Sequence, residues 1–413
     1  MTIPKMVKIK QLFNDKKIDN IENELKNELE KLLLKVNNGS RIAIAVGSRG
    51  IANIKKIVET TVDFIKNKEA SPFIIPAMGS HGGATAEGQA KILADYGITE
   101  GKIGCPILSS MEVVELPQEG IINKVYVDKY AYKADGIIII NRIKPHTSFH
   151  GTYESGLMKM LAIGLGKHKG AIEIHKYGVE GLQNYIYPTA KQIIKHTGII
   201  GGLAIVENAY DETMIIKALS PEEFENEEPE LLKISKVNMS SLPVNEIDIL
   251  IIDELGKNIS GVGIDPNIIG RIRIEGVKEP DNPKIRRVIV SDITKESNGN
   301  ALGMGLADFI TEKFKNKIDY KPTYENALTS TFIERVKTPI IMPDEKEAFL
   351  HAVRTLGSID VDKLRIVRIK NTLRLDEVYV SQEIYRQIKT APNINMLKKD
   401  NDLFTINGEL TNF

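Results

Sequence analysis

The amino-acid sequence predicts an α/β fold built from two domains, each with a sheet rich in parallel strands. Short apolar strands alternate with segments of helical periodicity in both halves of the chain, a pattern typical of strand–helix–strand units. The segment GIIIIN (136–141) is apolar on both faces, as a central parallel strand is when helices cover both sides of the sheet. A length of 413 residues favours two or three domains.

The elements of the first half follow in order along the chain. Residues 17–36 repeat apolar positions at helical spacing and predict an amphipathic helix. RIAIAV (41–46) predicts a strand, followed by a GSRG loop and a second helical segment. SPFIIPA (71–77) predicts the next strand, and its GSHGG loop leads into a helix that ends at a glycine. After the strand GIIIIN come a helix near 182–197 and a strand, GGLAIVEN (201–208).

The second run of strands and helices predicts a second α/β domain. Its segments are EIDILIIDEL, RRVIVSDI, GLADFITEKF and LRIVRIKN. We place the boundary near residue 240, after the acidic segment 222–230, whose charges predict a solvated helix face or a linker. The N-terminal domain is then 1–242, with the tail 392–413 able to pack back on it, and the C-terminal domain is 243–391.

Composition excludes several classes of protein. The 55 basic residues equal the 55 acidic ones, and no basic stripe marks a helix, so nucleic acid is not an expected partner. The single cysteine allows no internal disulfide and no cysteine-rich metal site. The N-terminus lacks the apolar stretch of a signal peptide, and no run approaches the ~20 apolar residues that span a bilayer. We expect a cytoplasmic protein with no membrane partner, and the oligomeric state stays open.

Polar side chains follow three of the predicted parallel strands at their carboxyl ends, where ligands collect in open α/β sheets. The loops are GSRG with Arg49, GSHGG with His81, and RIKPHTSFHG with His146 and His150. Five of the seven histidines fall between positions 81 and 175. The glycine-flanked loops also suit a phosphate, although neither matches GxGxxG or the P-loop pattern. A nucleotide-like ligand stays open, whereas a standard nicotinamide or ATP site is not supported.

The segment ESGLMKMLAIGLGKHKGAIEIH (154–175) combines a lysine, several glycines and a terminal histidine. Lys159 and His175 are 16 positions apart. On one straight helix that spacing would separate them by roughly 24 Å on nearly opposite faces. A shared site therefore needs a bend in the chain, for which the glycines provide. The alternative is a surface lysine on one helix and an unrelated histidine at the end of another.

The order and spacing of these motifs resemble the nickel-pincer lactate racemase family, over most of the chain and most specifically from 71 to 175. The resemblance implies that a lysine, here Lys159, forms a thioamide with a pyridinium-derived mononucleotide. Nickel is then held by two sulfurs and a ring carbon of that cofactor and by one histidine, here His175. It also implies a cofactor and substrate cleft between the two α/β domains, and accessory proteins that synthesise the cofactor.

The same resemblance implies the reaction, the racemisation or epimerisation of a 2-hydroxy acid at C2 by hydride transfer through a 2-keto acid. Two histidines serve as bases, one for each configuration, and they correspond to His81 and His146. Arg49 is expected to contact substrate or cofactor. The remaining cofactor contacts come from the motif positions Gly82, Ser155 and Gly156.

Two departures from the family pattern bear on the substrate. The family has a glycine-glycine-arginine run before the lysine, where this chain has Gly156, Leu157 and Met158, and it has a shorter stretch after Pro-His. The longer loop here adds His150, Tyr153 and Glu154, which could line a different substrate pocket, so a bulkier or more polar acid such as a sugar acid competes with lactate. Whether His146 or His150 is the second base stays open, and its place directly after proline favours His146.

The second domain offers Lys295 and Asn298 as groups that could close over the site, the alternative being a solvated loop. Two other functions compete with the racemase. One is a binding protein for a phosphorylated metabolite or nucleotide on the same scaffold, which would leave the lysine and histidine of the 154–175 segment without a task. The other is a zinc hydrolase using the three loop histidines, although the sequence lacks HxH spacing and a clustered carboxylate.

Overall fold

The computed structural model describes residues 3–32, 36–48 and 50–413 of the chain. Its strands are, in chain order, β1 Met6–Gln11, β2 Arg41–Val46, β3 Ser71–Pro76, β4 Val113–Leu116, β5 Val125–Asp128, β6 Gly136–Arg142, β7 Ile199–Glu207, β8 Thr213–Leu219, β9 Glu246–Leu255, β10 Lys284–Ile293, β11 Phe309–Thr311, β12 Ile340–Met342, β13 Ile366–Ile369, β14 Glu377–Ser381 and β15 Ile394–Asn401. Its α-helices are α1 Ile21–Leu32, α2 Ile54–Asn67, α3 Ala86–Asp95, α4 Glu100–Ile103, α5 Lys129–Tyr132, α6 Leu157–Lys159, α7 Lys167–His175, α8 Gly178–Glu180, α9 Ile186–His196, α10 Phe224–Val237, α11 Pro266–Ile269, α12 Glu312–Lys315, α13 Tyr320–Ser330, α14 Glu345–Arg354 and α15 Gln382–Ile388. Of the described helices, none is both long enough and apolar enough to cross a bilayer.

The chain divides into two compact units. One is the continuous segment Asn14–Met239, and the other combines Met1–Phe13 with Ser240–Phe413. Each unit carries a sheet rich in parallel strands, which confirms the α/β class that the sequence predicts. A cleft between the units stays a prediction.

The unit Asn14–Met239 contains, in its described part, a five-stranded sheet in the order β3-β2-β6-β7-β8. The pairs β3-β2, β2-β6 and β6-β7 are parallel, and β8 is antiparallel to β7. The chain leaves β2 for β3 on one side and later returns to β6 on the other side. In sheets with such a reversal of strand order, ligands usually bind beyond the carboxyl ends of the strands on either side of the reversal, here β2 and β6.

Apolar periodicity builds this unit's core. The last five residues of β2 are all buried, in keeping with a strand covered on both faces. Helix α2 buries Ile54, Val58, Val62 and Ile65 at spacings of three and four residues, and these side chains pack in one cluster with α1 and the central strands. The rigid sheet holds the three loops that follow β2, β3 and β6.

The second unit contains, in its described residues, an eight-stranded sheet in the order β12-β11-β10-β9-β13-β14-β1-β15. The strands from β12 to β13 are parallel, and the last three pairs are antiparallel. Strand β1 therefore lies inside this sheet, with the C-terminal strand β15 beyond it. The sequence predicts residues 1–13 in the N-terminal domain and allows the tail 392–413 to pack back on that domain, whereas both segments belong to the second unit. The difference arises because a strand's periodicity determines which face is buried and not which sheet it joins.

The acidic segment 222–230 forms the start of α10. Most of its carboxylates are solvated, as the charges predict, but Glu228 is only 1% exposed. This residue enters the candidate site described below.

Candidate active site

The loops after β2 and β3 are tied together at the carboxyl edge of the first sheet. Ser48 Oγ and His81 Nδ1 are hydrogen-bonded to each other. Tyr96 donates from its hydroxyl to the carbonyl of Ser48 at 2.5 Å. Arg49, the next residue of the first loop, lies outside the described residues. No sequence pattern predicts the contact of Ser48 with His81, because serine is common in glycine-rich loops.

Glycine is required in the His81 loop because the chain turns against the start of α3. Gly82 has φ +65°, and a Cβ there would lie 2.6 Å from the carbonyl carbon of Gly88. A Cβ on Gly88 would lie 1.9 Å from the carbonyl oxygen of Gly82. Gln89 Nε2 donates to the carbonyls of Gly79 at 2.9 Å and of His81 at 3.2 Å. The backbone that carries His81 is therefore held at two points by one buried amide.

A buried ion pair binds the side-chain amide of Gln89. Lys167 Nζ donates to Gln89 Oε1 at 3.1 Å and to the carbonyl of Pro76, and it lies 3.3 Å from Asp128 Oδ2. Both charged side chains are fully buried. Burial raises the pKa of Asp128 and lowers the pKa of Lys167. No local sequence pattern predicts this network, because a lysine among glycines is usually exposed.

The loop after β6 is closed into a hairpin-like turn at its ends. Backbone bonds join Lys144 and Ser155 in both directions, at 2.9 and 3.2 Å. Asn141 Nδ2 donates to the carbonyl of Gly156 at 2.7 Å. Tyr153 stacks on Tyr187, with ring centroids 5.1 Å apart.

The side chain of Tyr153 is fixed by ring stacking and by a hydrogen bond of its hydroxyl group. Its hydroxyl donates to the carbonyl of Glu225 at 3.0 Å. Burial raises the pKa of Tyr153 to about 12, so it stays a neutral phenol. A role in substrate binding would have to use its ring.

Inside this loop the carboxylate of Glu154 is bound by several neighbouring groups. Its side chain is fully buried and accepts hydrogen bonds from the backbone N–H of His146 at 2.7 Å and from Lys236 Nζ at 2.7 Å. His150 Nδ1 lies 3.3 Å from the same carboxylate. Burial works to raise the pKa of Glu154, but these hydrogen bonds outweigh it and lower the pKa below its ordinary value. Glu154 is therefore an anion that orders both histidines of the loop.

Glu228 reaches from α10 to the start of the helix that carries Lys159. It accepts from the backbone N–H of Met158 at 3.0 Å, while its Oε1 is buried with no hydrogen-bond partner among the described residues. Burial raises the pKa of Glu228 to about 7. A Cβ on Gly156 would lie 2.0 Å from Oε1, so only glycine fits beside this carboxyl group. The backbone at Gly156 therefore lies directly against a buried acid.

The chain from Lys159 to His175 changes direction between them. Lys159 ends α6, a π-helical stretch follows at Met160–Leu165, and Lys167 adopts φ +54° at the start of α7. Burial, and next the positive charge of Lys159, lower the pKa of His175 to about 4. The two side chains therefore interact electrostatically despite their separation in sequence. His175 Nδ1 is buried and has no hydrogen-bond partner in the described part of the chain.

Two of the predicted contacts are not part of the unit Asn14–Met239. Lys295 and Asn298 are both exposed and belong to the other compact unit, around a short turn that starts at Lys295. Within residues 3–32, 36–48 and 50–413, no three His, Cys, Asp or Glu side chains are grouped so that they could hold a metal ion. The geometry thus gives no support to a zinc site made of His81, His146 and His150.

Comparison with known proteins gives a family and a fold. A family model described as a domain of unknown function, DUF362, matches residues 33–239, which is half of the chain. That match ends where the unit Asn14–Met239 ends. Among solved structures, the lactate racemase apoprotein from Thermoanaerobacterium thermosaccharolyticum is similar in fold, with a TM-score of 0.52 and 14% identity, over 89% of this chain and 98% of that chain. No curated protein matches the sequence.

Proposed function

The chain belongs to the DUF362 family of domains of unknown function, so its activity has to be inferred from the site, and we propose that it is a racemase or epimerase of 2-hydroxy acids. The observation that carries the proposal is the buried Nδ1 of His175, which has no hydrogen-bond partner among the described residues and whose ring lies within the electrostatic influence of Lys159. The fold shared with a lactate racemase apoprotein supports it.

The donor set fits a nickel-pincer nucleotide. Such a group requires one amine and one neutral imidazole from the protein, because the sulfur ligands are part of the cofactor itself. His175 has a pKa of about 4, so its ring is neutral at pH 7, the form that binds a metal ion. Lys159 would hold the nucleotide covalently and His175 would hold the nickel. When bound, the group supplies an acceptor for the hydride from C2 of the substrate.

The chain's own residues would move the proton. His81 Nδ1 is engaged by Ser48, which directs the ring, and the Gln89 amide holds the backbone of His81. His81 would take the proton of the C2 hydroxyl of one enantiomer. The second base comes from the loop after β6, where the family motif favours His146. Arg49, Gly82, Ser155 and Gly156 are proposed cofactor contacts, and Lys295 and Asn298 proposed substrate contacts.

The test is covalent loading followed by turnover. The full chain is expressed with nickel and with the accessory proteins that synthesise the cofactor, and its intact mass is measured. We expect an added mass on the wild type and none on Lys159→Ala, while Lys169→Ala, an exposed lysine of the same segment, keeps it. The loaded protein is assayed for change of configuration at C2 of lactate, malate and gluconate.

Two outcomes would overturn the proposal. One is a wild-type mass that stays unchanged at high nickel, together with no turnover. The other is an adduct that Lys159→Ala retains. Binding of a phosphorylated metabolite with equal affinity by both proteins, with no adduct on either, would instead support a non-catalytic binding protein.

A further inference from the structure

We infer that His150, paired with the buried carboxylate of Glu154, is the proton acceptor of the loop after β6, and that His146 presents an N–H group instead. The inference rests on the proposed function for its reaction. It concerns which ring nitrogen carries a proton in each histidine, and this follows from the neighbours of each Nδ1.

Glu154 determines the state of His150. The carboxylate is charged, because hydrogen bonds from His150, Lys236 and the backbone of His146 lower its pKa against the effect of burial. A charged carboxylate only accepts hydrogen bonds, so His150 must donate from Nδ1 over the 3.3 Å to Glu154 Oε2. In the neutral ring, Nε2 of His150 then carries a lone pair and no proton. That nitrogen is the atom that takes up a proton.

Ser148 determines the state of His146 in the opposite sense. The backbone N–H of Ser148 donates to His146 Nδ1 at 3.1 Å. Nδ1 must therefore be unprotonated, and the proton of the neutral ring lies on Nε2. The ring also packs on Phe149, with centroids 4.5 Å apart. In this state Nε2 of His146 is a hydrogen-bond donor and takes up no proton.

The surroundings of His150 suit a base that must meet a substrate. Its side chain is 42% exposed, whereas the side chain of Glu154 is fully buried. Gln183 Nε2 donates to the backbone carbonyl of His150 at 3.1 Å and holds the loop at this point. Lys236 binds the other carboxylate oxygen, so Oε2 is the oxygen shared by the two histidines. Glu154 is a positioning residue that orients the ring of His150.

The O–H bond of the substrate's C2 hydroxyl breaks and an N–H bond forms at Nε2 of His150. The electron pair left on oxygen forms the C=O bond as C2 gives up a hydride, for which a pyridinium-type nucleotide held by Lys159 would be the acceptor. The substrate is thereby oxidised by two electrons to a 2-keto acid. In the return step C2 regains the hydride, and His150 or His81 returns a proton to the oxygen.

The first test needs no cofactor. The full chain is labelled with ¹⁵N-histidine, and two-bond ¹⁵N–¹H correlation spectra are recorded at pH 8, with signals assigned from His150→Gln and His146→Gln. We expect the proton of His150 on Nδ1 and that of His146 on Nε2. In Glu154→Gln the preference at His150 should weaken, because a carboxamide no longer demands a donor. The reverse assignment of the two rings in the wild type would overturn the inference.

The second test uses the loaded enzyme. Removing a general base costs about 10² to 10⁴ in rate. His150→Gln should lower kcat by that factor with KM changed little, and the loss should exceed that of His146→Gln. Glu154→Gln should lower kcat about tenfold, with partial rescue in Glu154→Asp, and His351→Gln, exposed in the other unit, should match the wild type. A larger loss for His146→Gln than for His150→Gln would overturn the inference.

Failure of the proposed function is distinct from failure of this inference. A chain without adduct and without turnover refutes the racemase, and the spectra of the unloaded chain then decide the positions of the ring protons by themselves. A loaded and active chain with the two ring assignments reversed keeps the racemase and refutes the role of His150.

Discussion

At the scale of single residues, Glu228 is the acid whose position has the clearest energetic consequence. It is 1% exposed, and one carboxyl oxygen has no hydrogen-bond partner among the described residues. The other oxygen accepts the N–H of Met158, one residue before Lys159. A buried carboxyl group of this kind favours its neutral form. A change of pH that alters the charge of Glu228 therefore acts at the start of the helix that carries Lys159.

Glu228→Gln is expected to stabilise the protein at high pH and to leave it unchanged at low pH. The pKa of Glu228 is raised to about 7 in the folded chain, above the ordinary 4.5. The folded state thus holds the proton more tightly, and the stability that this adds below pH 4.5 is lost as pH rises through 7. The loss is on the order of 3 kcal/mol above pH 8, and glutamine does not suffer it.

The measurement is urea unfolding of wild type and variant at pH 4.5 and pH 8.5. Glu230→Gln, exposed on the same helix, serves as the control and should show no such difference. A gain in the free energy of unfolding that is equal at both pH values would contradict the burial of Glu228 as a neutral acid.

At the scale of elements, the loop that carries His81 is held by side chains from two other segments. Gln89 on α3 clamps the loop carbonyls, and Lys167 at the start of α7 binds the same amide. Asp128, at the end of β5, both pairs with Lys167 and accepts from Tyr130 N at 2.7 Å, so it also caps α5. The geometry of one loop therefore depends on how three elements pack.

Lys167→Met is expected to lower the free energy of unfolding by about 3 to 5 kcal/mol, because it leaves Asp128 buried without a cation. Adding Asp128→Asn should restore much of that loss, since the amide oxygen can still cap α5 and carries no charge. A double-mutant cycle by chemical denaturation measures the coupling. If the double variant is as unstable as the sum of the two single variants, the two side chains do not act as a pair.

At the scale of the whole molecule, the unit Asn14–Met239 is continuous in sequence, whereas the other unit combines the segments that precede and follow it. Strand β1 lies between β14 and β15, so the sheet of the unit formed by Met1–Phe13 and Ser240–Phe413 is not complete without the N-terminus. Gln11 Nε2 donates to the carbonyls of Leu375 at 2.7 Å and Ser241 at 3.2 Å, which brings the ends of its two segments together. The unit Asn14–Met239 is thus an insertion after the first strand.

A fragment of residues 14–239 is expected to fold alone, because its sheet and its core cluster come from its own residues. Residues 240–413 alone should not unfold cooperatively, because β15 has lost the strand with which it pairs. Joining residues 1–13 to 240–413 by a short linker should restore a cooperative transition. Thermal unfolding followed by circular dichroism tests all three, and cooperative folding of 240–413 without β1 would contradict the topology.

The sequence by itself determined the α/β class, the strands β2, β3 and β6, and the loops that bear His81, His146 and His150. These features follow from local periodicity and from glycine at chain turns, which a single segment carries in its own residues. The sequence also predicts a bend between Lys159 and His175, but the residue with positive φ in that stretch is Lys167 and not one of the glycines. The functional roles of these residues stay proposals that the experiments above test.

Only the tertiary structure decided the sheet to which β1 belongs, the burial of Glu228 and Lys167, and the pairing of His150 with Glu154. Each of these depends on which distant elements pack together. The helical pattern of α10 predicts a solvated face for its acids, but packing against the helix of Lys159 buries one of them. Likewise, no local pattern records which ring nitrogen of a histidine carries the proton, because the neighbours of that nitrogen determine it.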